Sequence, residues 1–184
     1  MVAGYAFPTQ ADAQADTARL ARARAALDTV TDPEIPVVSI AELGILRDVR
    51  IDAAGTLAVT ITPTYSGCPA MDQIADDVTR ALQAAGVGAF RVQAALSPAW
   101  TTDWITAQGR RKLHHFGIAP PAHVVAAGAA QPIRLVRPAD ADQVACPQCG
   151  SLDTVLVSAF GSTACKALYR CRACREPFDY FKPY

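Results

Sequence analysis

Six cysteines are spread unevenly along the 184 residues, and their spacing is the first feature with chemical content. Cys146 and Cys149 stand in C-P-Q-C, Cys171 and Cys174 in C-R-A-C, and a strand-like stretch separates the two pairs. Two cysteines with two residues between them can turn both thiolates toward one ion. A second such pair on a neighbouring hairpin completes a tetrahedron, so the spacing is that of a four-cysteine zinc ribbon. Gly150 follows the first pair and suits a tight knuckle. A module this small has too little apolar area to fold alone, and structural zinc contributes roughly 10 to 16 kcal/mol in small finger peptides, so the tail is expected to unfold when chelated. A structural zinc is the favoured reading. Cys165, shortly before the second pair, is a fifth thiol: a buried hydrophobe, an additional ligand, or a sign that the tail handles iron-sulfur rather than zinc.

Cys68 lies far from the others, between Gly67 and Pro69 in "TPTYSGCPAMDQIADDV". With Cys68 at the N-cap and Pro69 at the first helical position, the proline loses no helical hydrogen bond. The thiol then faces the positive end of the helix, which lowers a cysteine pKa and favours its thiolate. Asp72 in the first turn opposes that effect and leaves the sign of the shift open. On local physics alone, a buried inert thiol and a functional one stand level. Asp32 and Glu34 in "TDPEIP" are either acceptors near this thiol or loop residues capping turns. No serine, histidine and acid trio, glycine-rich phosphate loop or dinucleotide fingerprint is present. His114 and His115 read as cationic or solvated residues at a helix C-terminus rather than ligands, and His123 falls in a linker. Trp100 and Trp104, four apart on one expected helix, read as core or interface anchors.

These groups need elements to hold them. Residues 11–30 have high helix propensity, with Leu20, Ala23 and Leu27 on one face. The prolines of "TDPEIPVVSIAEL" predict an ordered loop. "GILRDVRI" and "TLAVTIT" alternate around "DAAG" as an antiparallel hairpin. Met71, Ile74, Val78 and Leu82 recur at helical spacing over residues 69–85, ahead of Gly86. "AFRVQAAL" supplies a third strand and "PAWTTDWITAQGRRKLHHFG" a closing helix. After a proline- and alanine-rich stretch, "TVLVSAF", "KALYR" and "PFDYF" form three further strands. The fold class is therefore α+β: a small mixed sheet with helices packed on it, followed by a small four-cysteine β-ribbon that binds metal. The expected divisions are an N-terminal helix (1–30), an α/β domain (31–118), a linker (119–143) and the ribbon (144–184).

Charge gives no direction, because 17 basic residues balance 17 acidic ones. Lys166, Arg170, Arg172, Arg175 and Lys182 accompany aromatic residues in the tail, but Asp153, Glu176 and Asp179 offset much of their charge, so nucleic acid is not an expected partner. No secretory signal or run long enough to span a bilayer is visible, which places the protein in the cytoplasm with reduced cysteines and no membrane.

"VTDPEIPVVSIAELGILRDVRI" followed by "VTITPTYSGCPAMDQIADDV" resembles the metal-sulfur cluster assembly domain of SufT-like proteins and cytosolic iron-sulfur targeting factors. Joined to "CPQCGS…FGSTACKALYRCRACREPFDYFKP", the chain resembles the D-subunit (PaaD/PaaJ) family encoded with bacterial phenylacetyl-CoA epoxidase. The resemblance runs from about residue 30 to the C-terminus and leaves a variable N-terminal helix uncovered. It implies a role in aerobic phenylacetate degradation, where a di-iron oxygenase epoxidises the ring of phenylacetyl-CoA with electrons from an iron-sulfur flavoprotein reductase. The chain has neither a di-iron ligand set nor a flavin fingerprint, so the resemblance implies an accessory protein rather than the catalyst. Under it, Cys68 transiently holds iron, a cluster or a partner thiol, Asp32 and Glu34 shape that site, and the reductase is the foremost partner. Cys146, Cys149, Cys171 and Cys174 bind metal, with Cys165 an uncertain fifth member. A non-catalytic structural subunit of the epoxidase complex, and a thiol or redox protein acting through Cys68, are the alternatives.

Overall fold

A computed structural model of the chain describes residues 10–65, 67–121 and 144–183. Helix α1 (Gln10–Leu27) leads into a looped segment, then strands β1 (Leu46–Ile51) and β2 (Leu57–Ile61), helix α2 (Ala70–Ala84) and strand β3 (Phe90–Ala94). The first sheet has the order β1-β2-β3. β1 and β2 form the antiparallel hairpin that the alternation predicts, whereas β3 runs parallel to β2 because α2 carries the chain back across the sheet. Central β2 is buried along its whole length. Leu57, Val59 and Ile61 share one core with Ile74, Val78 and Leu82 of α2 and with Ala23 and Leu27 of α1. Helix α1 thus belongs to the same core as the α/β unit behind it, and Arg19 fastens it by donating to the carbonyl oxygens of Gly55 (2.7 Å), Val87 and Ala89.

The proline-rich loop is ordered, as its composition requires. Asp32 Oδ1 accepts from the backbone N–H groups of Glu34 (2.8 Å) and Ile35 (2.9 Å). Ser39 and Glu42 then form a reciprocal capping box: Glu42 N–H donates to Ser39 Oγ (3.2 Å) and Ser39 N–H to Glu42 Oε2 (2.9 Å). Lys112 closes on the same carboxylate at 2.9 Å and docks helix α3 (Ala107–His115) on this turn.

The single closing helix expected over "PAWTTDWITAQGRRKLHHFG" is broken. A 3-10 turn spans Thr102–Trp104, Ile105 is extended, and α3 starts after Thr106, whose side chain accepts from Gly109 N–H. The two tryptophans therefore do not share a helix. Trp100 turns into the core and donates its indole N–H to Leu43 O at 3.0 Å. Trp104 lies under the Arg47 guanidinium, 3.3 Å from the ring centroid. Burying Trp100 outweighs the helix propensity of the segment.

The second sheet, of order β4-β7-β6-β5, comprises β4 (Ile118–Ala119), β5 (Thr154–Ser158), β6 (Lys166–Cys171) and β7 (Pro177–Phe181). Ala119, the first residue of the expected linker, pairs with Tyr180, so the ribbon sheet takes its edge strand from the preceding segment. Residues 122–143, with His123, lie outside the described residues. On β7, Phe178 and Tyr180 pack with Tyr169 in the ribbon's own core, while Phe181 faces the opposite way and enters the core of the first domain against Trp100, ring centroids 5.9 Å apart. Among the described residues, no helix is long and apolar enough to cross a membrane.

Gly44, in the "LGI" turn, has φ of +72°, and a Cβ there would lie 2.6 Å from Trp104 Cβ and 2.9 Å from Trp104 O. Left-handed strain and overpacking act together, so Gly44→Ala is expected to lower stability by about 2 kcal/mol or more. Urea denaturation should show a lower midpoint at unchanged slope.

Candidate functional site

The ribbon thiols converge as their spacing predicts. The Sγ atoms of Cys146, Cys149, Cys171 and Cys174 all lie within 4.8 Å of one another. The Cys146–Cys174 and Cys149–Cys171 separations are 3.7 and 3.6 Å. Metal–sulfur bonds of about 2.3 Å in a tetrahedron place sulfurs about 3.8 Å apart, so the four thiols fit one ion, and the separations are far beyond the ~2.05 Å of a disulfide. Each knuckle is built by backbone. Gly150 N–H returns to Cys146 O (2.8 Å) with φ of +73°. In the second knuckle Cys174 N–H points at Cys171 Sγ (3.5 Å), which favours the Cys171 thiolate. Arg175 occupies the position there that Gly150 has in the first, at φ of +69°.

Cys165 is not part of this set. It sits just ahead of β6 and packs into the core of the first domain, 7% exposed, with its sulfur 3.0 Å from Thr163 Oγ1. The additional tail ligand that its position in the sequence suggests is thus turned away from the four thiols. Strand alternation alone would put Cys165 on the face of Ala167, Tyr169 and Cys171, which belong to the ribbon core; Cys165 lies outside the strand and packs instead with the neighbouring domain.

Cys68 lies one residue further from the helix than expected, because α2 begins at Ala70 and Pro69 occupies the N-cap. The turn from Tyr65 to Cys68 closes with Cys68 N–H on Tyr65 O at 3.3 Å. Burial raises the pKa of the half-buried thiol, and the charges of Glu34 and Asp32 raise it further. The Ala70 N–H and the Tyr65 hydroxyl, both donating to the sulfur, pull the other way without prevailing. The helix end therefore acts as its dipole requires. The opposing charge comes from the "DPE" loop, not from Asp72, which is exposed on the first turn.

Asp32 and Glu34 lie close enough to Cys68 for their charges to act on it. Asp32 is buried and raised in pKa by that burial, against its two backbone hydrogen bonds and the charge of Lys166. Its cap on the loop is equally real, since the same carboxylate holds Glu34 and Ile35 in place. Sequence reasoning misses Tyr65 and Lys166. Tyr65 is pushed up to about 12 by burial and by the Cys68 and Cys165 thiols beside it. Its position three residues before Cys68, across a turn, is the available signal. Lys166 is 4% exposed and lies 3.5 Å from Asp179, and nothing local in the sequence marks it as buried. His114 and His115 are exposed at the end of α3.

Two parts with separate thiol chemistry define the class: an α/β domain with a half-buried cysteine at a helix start, joined to a four-cysteine metal-binding ribbon. Residues 20–96 match the family described as iron-sulfur cluster assembly protein, and residues 131–182 the PaaD zinc beta ribbon domain. Over 158 residues the chain is 46% identical to an Escherichia coli K12 protein named as the D-subunit of 1,2-phenylacetyl-CoA epoxidase, covering 86% of this chain and 89% of that one. The chain belongs to this D-subunit family. Its first domain is also 35% identical to an Fe-S protein maturation auxiliary factor of Porphyromonas gingivalis, over 47% of this chain and 83% of the relative. A solved Bacillus anthracis structure, a domain of unknown function DUF59, covers 55% of this chain and 96% of its own at 30% identity and a TM-score of 0.49.

Two outcomes follow from the geometry. Iodoacetamide should label Cys68 at pH 7 more slowly than an unperturbed thiol and accelerate as pH rises, because a raised pKa leaves little thiolate. Glu34→Gln should speed neutral labelling a few-fold and Tyr65→Phe should slow it, as read by peptide mass spectrometry. Removing metal from the ribbon with a strong chelator should release Phe181 from Trp100. In a Trp104→Phe background the remaining tryptophan emission should then shift to longer wavelength.

Proposed function

We propose that this chain is an accessory protein of the phenylacetyl-CoA ring 1,2-epoxidase system in aerobic phenylacetate degradation. Its role is to assist maturation of an iron-sulfur cluster or metal centre, with the iron-sulfur flavoprotein reductase of the epoxidase as its client. The observation that carries this reading is that the segment matching iron-sulfur cluster assembly proteins is the one that gathers Cys68, Asp32, Glu34 and Tyr65 at one place. Cys68 is the functional thiol, holding iron or a cluster transiently. Burial, reinforced by the charges of Glu34 and Asp32, keeps it protonated until a cation arrives and displaces the proton. The ribbon carries zinc in our reading, because four thiolates leave no open coordination position and so suit a structural ion. Six free cysteines suit a reducing compartment, which supports the cytoplasm.

A second reading, a non-catalytic structural subunit of the epoxidase complex, draws support from Leu152, Leu156, Val157 and Phe160, exposed large apolar residues on one part of the ribbon. A thiol or redox role through Cys68 is disfavoured, since such a nucleophile needs a depressed pKa and this one is raised.

The test is the cluster content of the reductase purified from cells lacking this gene. Low iron and acid-labile sulfide, restored by the wild-type chain and not by Cys68→Ser, is the expected result. Full cluster occupancy with epoxidase activity lost would favour the structural subunit. Asp32→Asn can keep both backbone hydrogen bonds without a buried charge, so it should fold normally and still restore fewer clusters.

A further inference from the structure

Each of the two sheets has two edge strands, and an edge offers unpaired main-chain groups to any extended chain that meets it. Charge guards β1, through Asp48 and Arg50, and β3, through Arg91, while β4 is only two residues long. β5 reads Thr-Val-Leu-Val-Ser and has neither charge nor proline. Among the described residues its outer side is open. Arg172 N–H donates to Asp153 O at 2.8 Å, so alternation turns the main chain of Val155 toward β6 and that of Leu156 outward. A bulge follows, because Leu156 pairs with Tyr169 and Ser158 with Leu168, and the extra residue is Val157. Leu156 and Val157 are both exposed, and so are Leu152 and Phe160 beyond the two ends of the strand.

We propose that β5 is a two-fold interface on which a second copy of this chain pairs antiparallel, with Leu156 on the axis. The inference goes beyond the role proposed for Cys68 and does not depend on it. The residues on either side of Leu156 match in type, so this pairing sets Val155 against Val157 of the second copy, Thr154 against Ser158 and Leu152 against Phe160. An isologous contact demands such self-complementarity. The outward N–H and C=O of Leu156 meet their own counterparts as a hydrogen-bonded pair. Charge agrees with the same register. Asp153 comes opposite Ala159 of the second copy, and there Lys182 Nζ lies 3.3 Å from the Ala159 carbonyl oxygen and 4.6 Å from the Phe160 ring centroid. An acid therefore meets a base at each end of the strand pair. A slip of one residue toward the C-terminus sets Asp153 against Phe160 and Leu152 against Gly161, losing both matches. The structural-subunit reading gives these apolar residues to the epoxidase; a second copy is favoured because the strand matches itself in side-chain type and in charge.

The experiment is sedimentation velocity on the zinc-loaded full chain, in reducing buffer and over a range of concentrations. A wild-type dimer is the expected result, with Leu156→Glu and Leu156→Lys each weakening association about tenfold or more, because like charges then meet on the axis. Mixed in equal amounts, these two variants should regain the dimer, with zinc content and circular dichroism unchanged. A wild-type monomer at every concentration overturns the inference, whether β5 is then covered by the chain itself or by an epoxidase component. A dimer that survives in both variants puts the contact elsewhere and overturns it too. So does a mixture that stays monomeric although both variants are folded. Should either variant fail to fold, Asp153→Lys and Lys182→Glu are mixed instead: each alone sets like charges together, and the mixture pairs opposite ones. Recovery of the dimer only on mixing is again the expected result, and its absence overturns the inference.

Discussion

The contact between Phe181 and Trp100 couples the α/β domain to the metal-binding ribbon. Phe181 is 1% exposed, and its ring is placed by β7, whose position depends on the neighbouring β6 and hence on the Cys171 end of the metal knuckle. Burying a phenylalanine side chain contributes about 1.5 to 3 kcal/mol, enough to matter between modules that are each small. Trp100 is in turn tied to the Leu43 carbonyl beside Gly44, where the chain passes too close to Trp104 for any side chain. Metal geometry in one module is thus connected through a strand and an aromatic pair to the loop that precedes the hairpin of the other.

That connection brings charges together at the domain boundary. Asp32 and Glu34 arrive on the ordered loop, Cys68 and Tyr65 on the turn ahead of α2, Cys165 just ahead of β6 and Lys166 at its first residue. Burial and carboxylate charge raise both thiols, outweighing the helix N–H that favours a thiolate at Cys68. Thiols raised in this way carry little thiolate at neutral pH and are poor nucleophiles.

The ribbon is arranged on opposite terms. Its four sulfurs already stand at the separations that a single tetrahedral ion imposes, and Cys146 and Cys171 are buried. Backbone N–H groups shape both knuckles, even where Arg175 must adopt a left-handed conformation that glycine holds more cheaply.

Much of this is legible in the chain itself. The two C-x-x-C pairs specify four converging thiols because two intervening residues allow both sulfurs to turn to one side of a knuckle. Alternation and helical spacing specify the hairpin, α2 and the ribbon strands, and paired prolines specify the ordered loop. All of these are local properties of backbone and side-chain period. The break of the closing helix is not legible, since it follows from burying Trp100 against Phe181, which lies in the other domain. Nor is the placement of Cys165, which both sequence distance and strand period assign to the ribbon and which packs instead in the core of the neighbour. Even the sign of the Cys68 shift is left open by the sequence. Proximity across the fold decides it, because desolvation and the charges of Asp32 and Glu34 act through space and not along the chain.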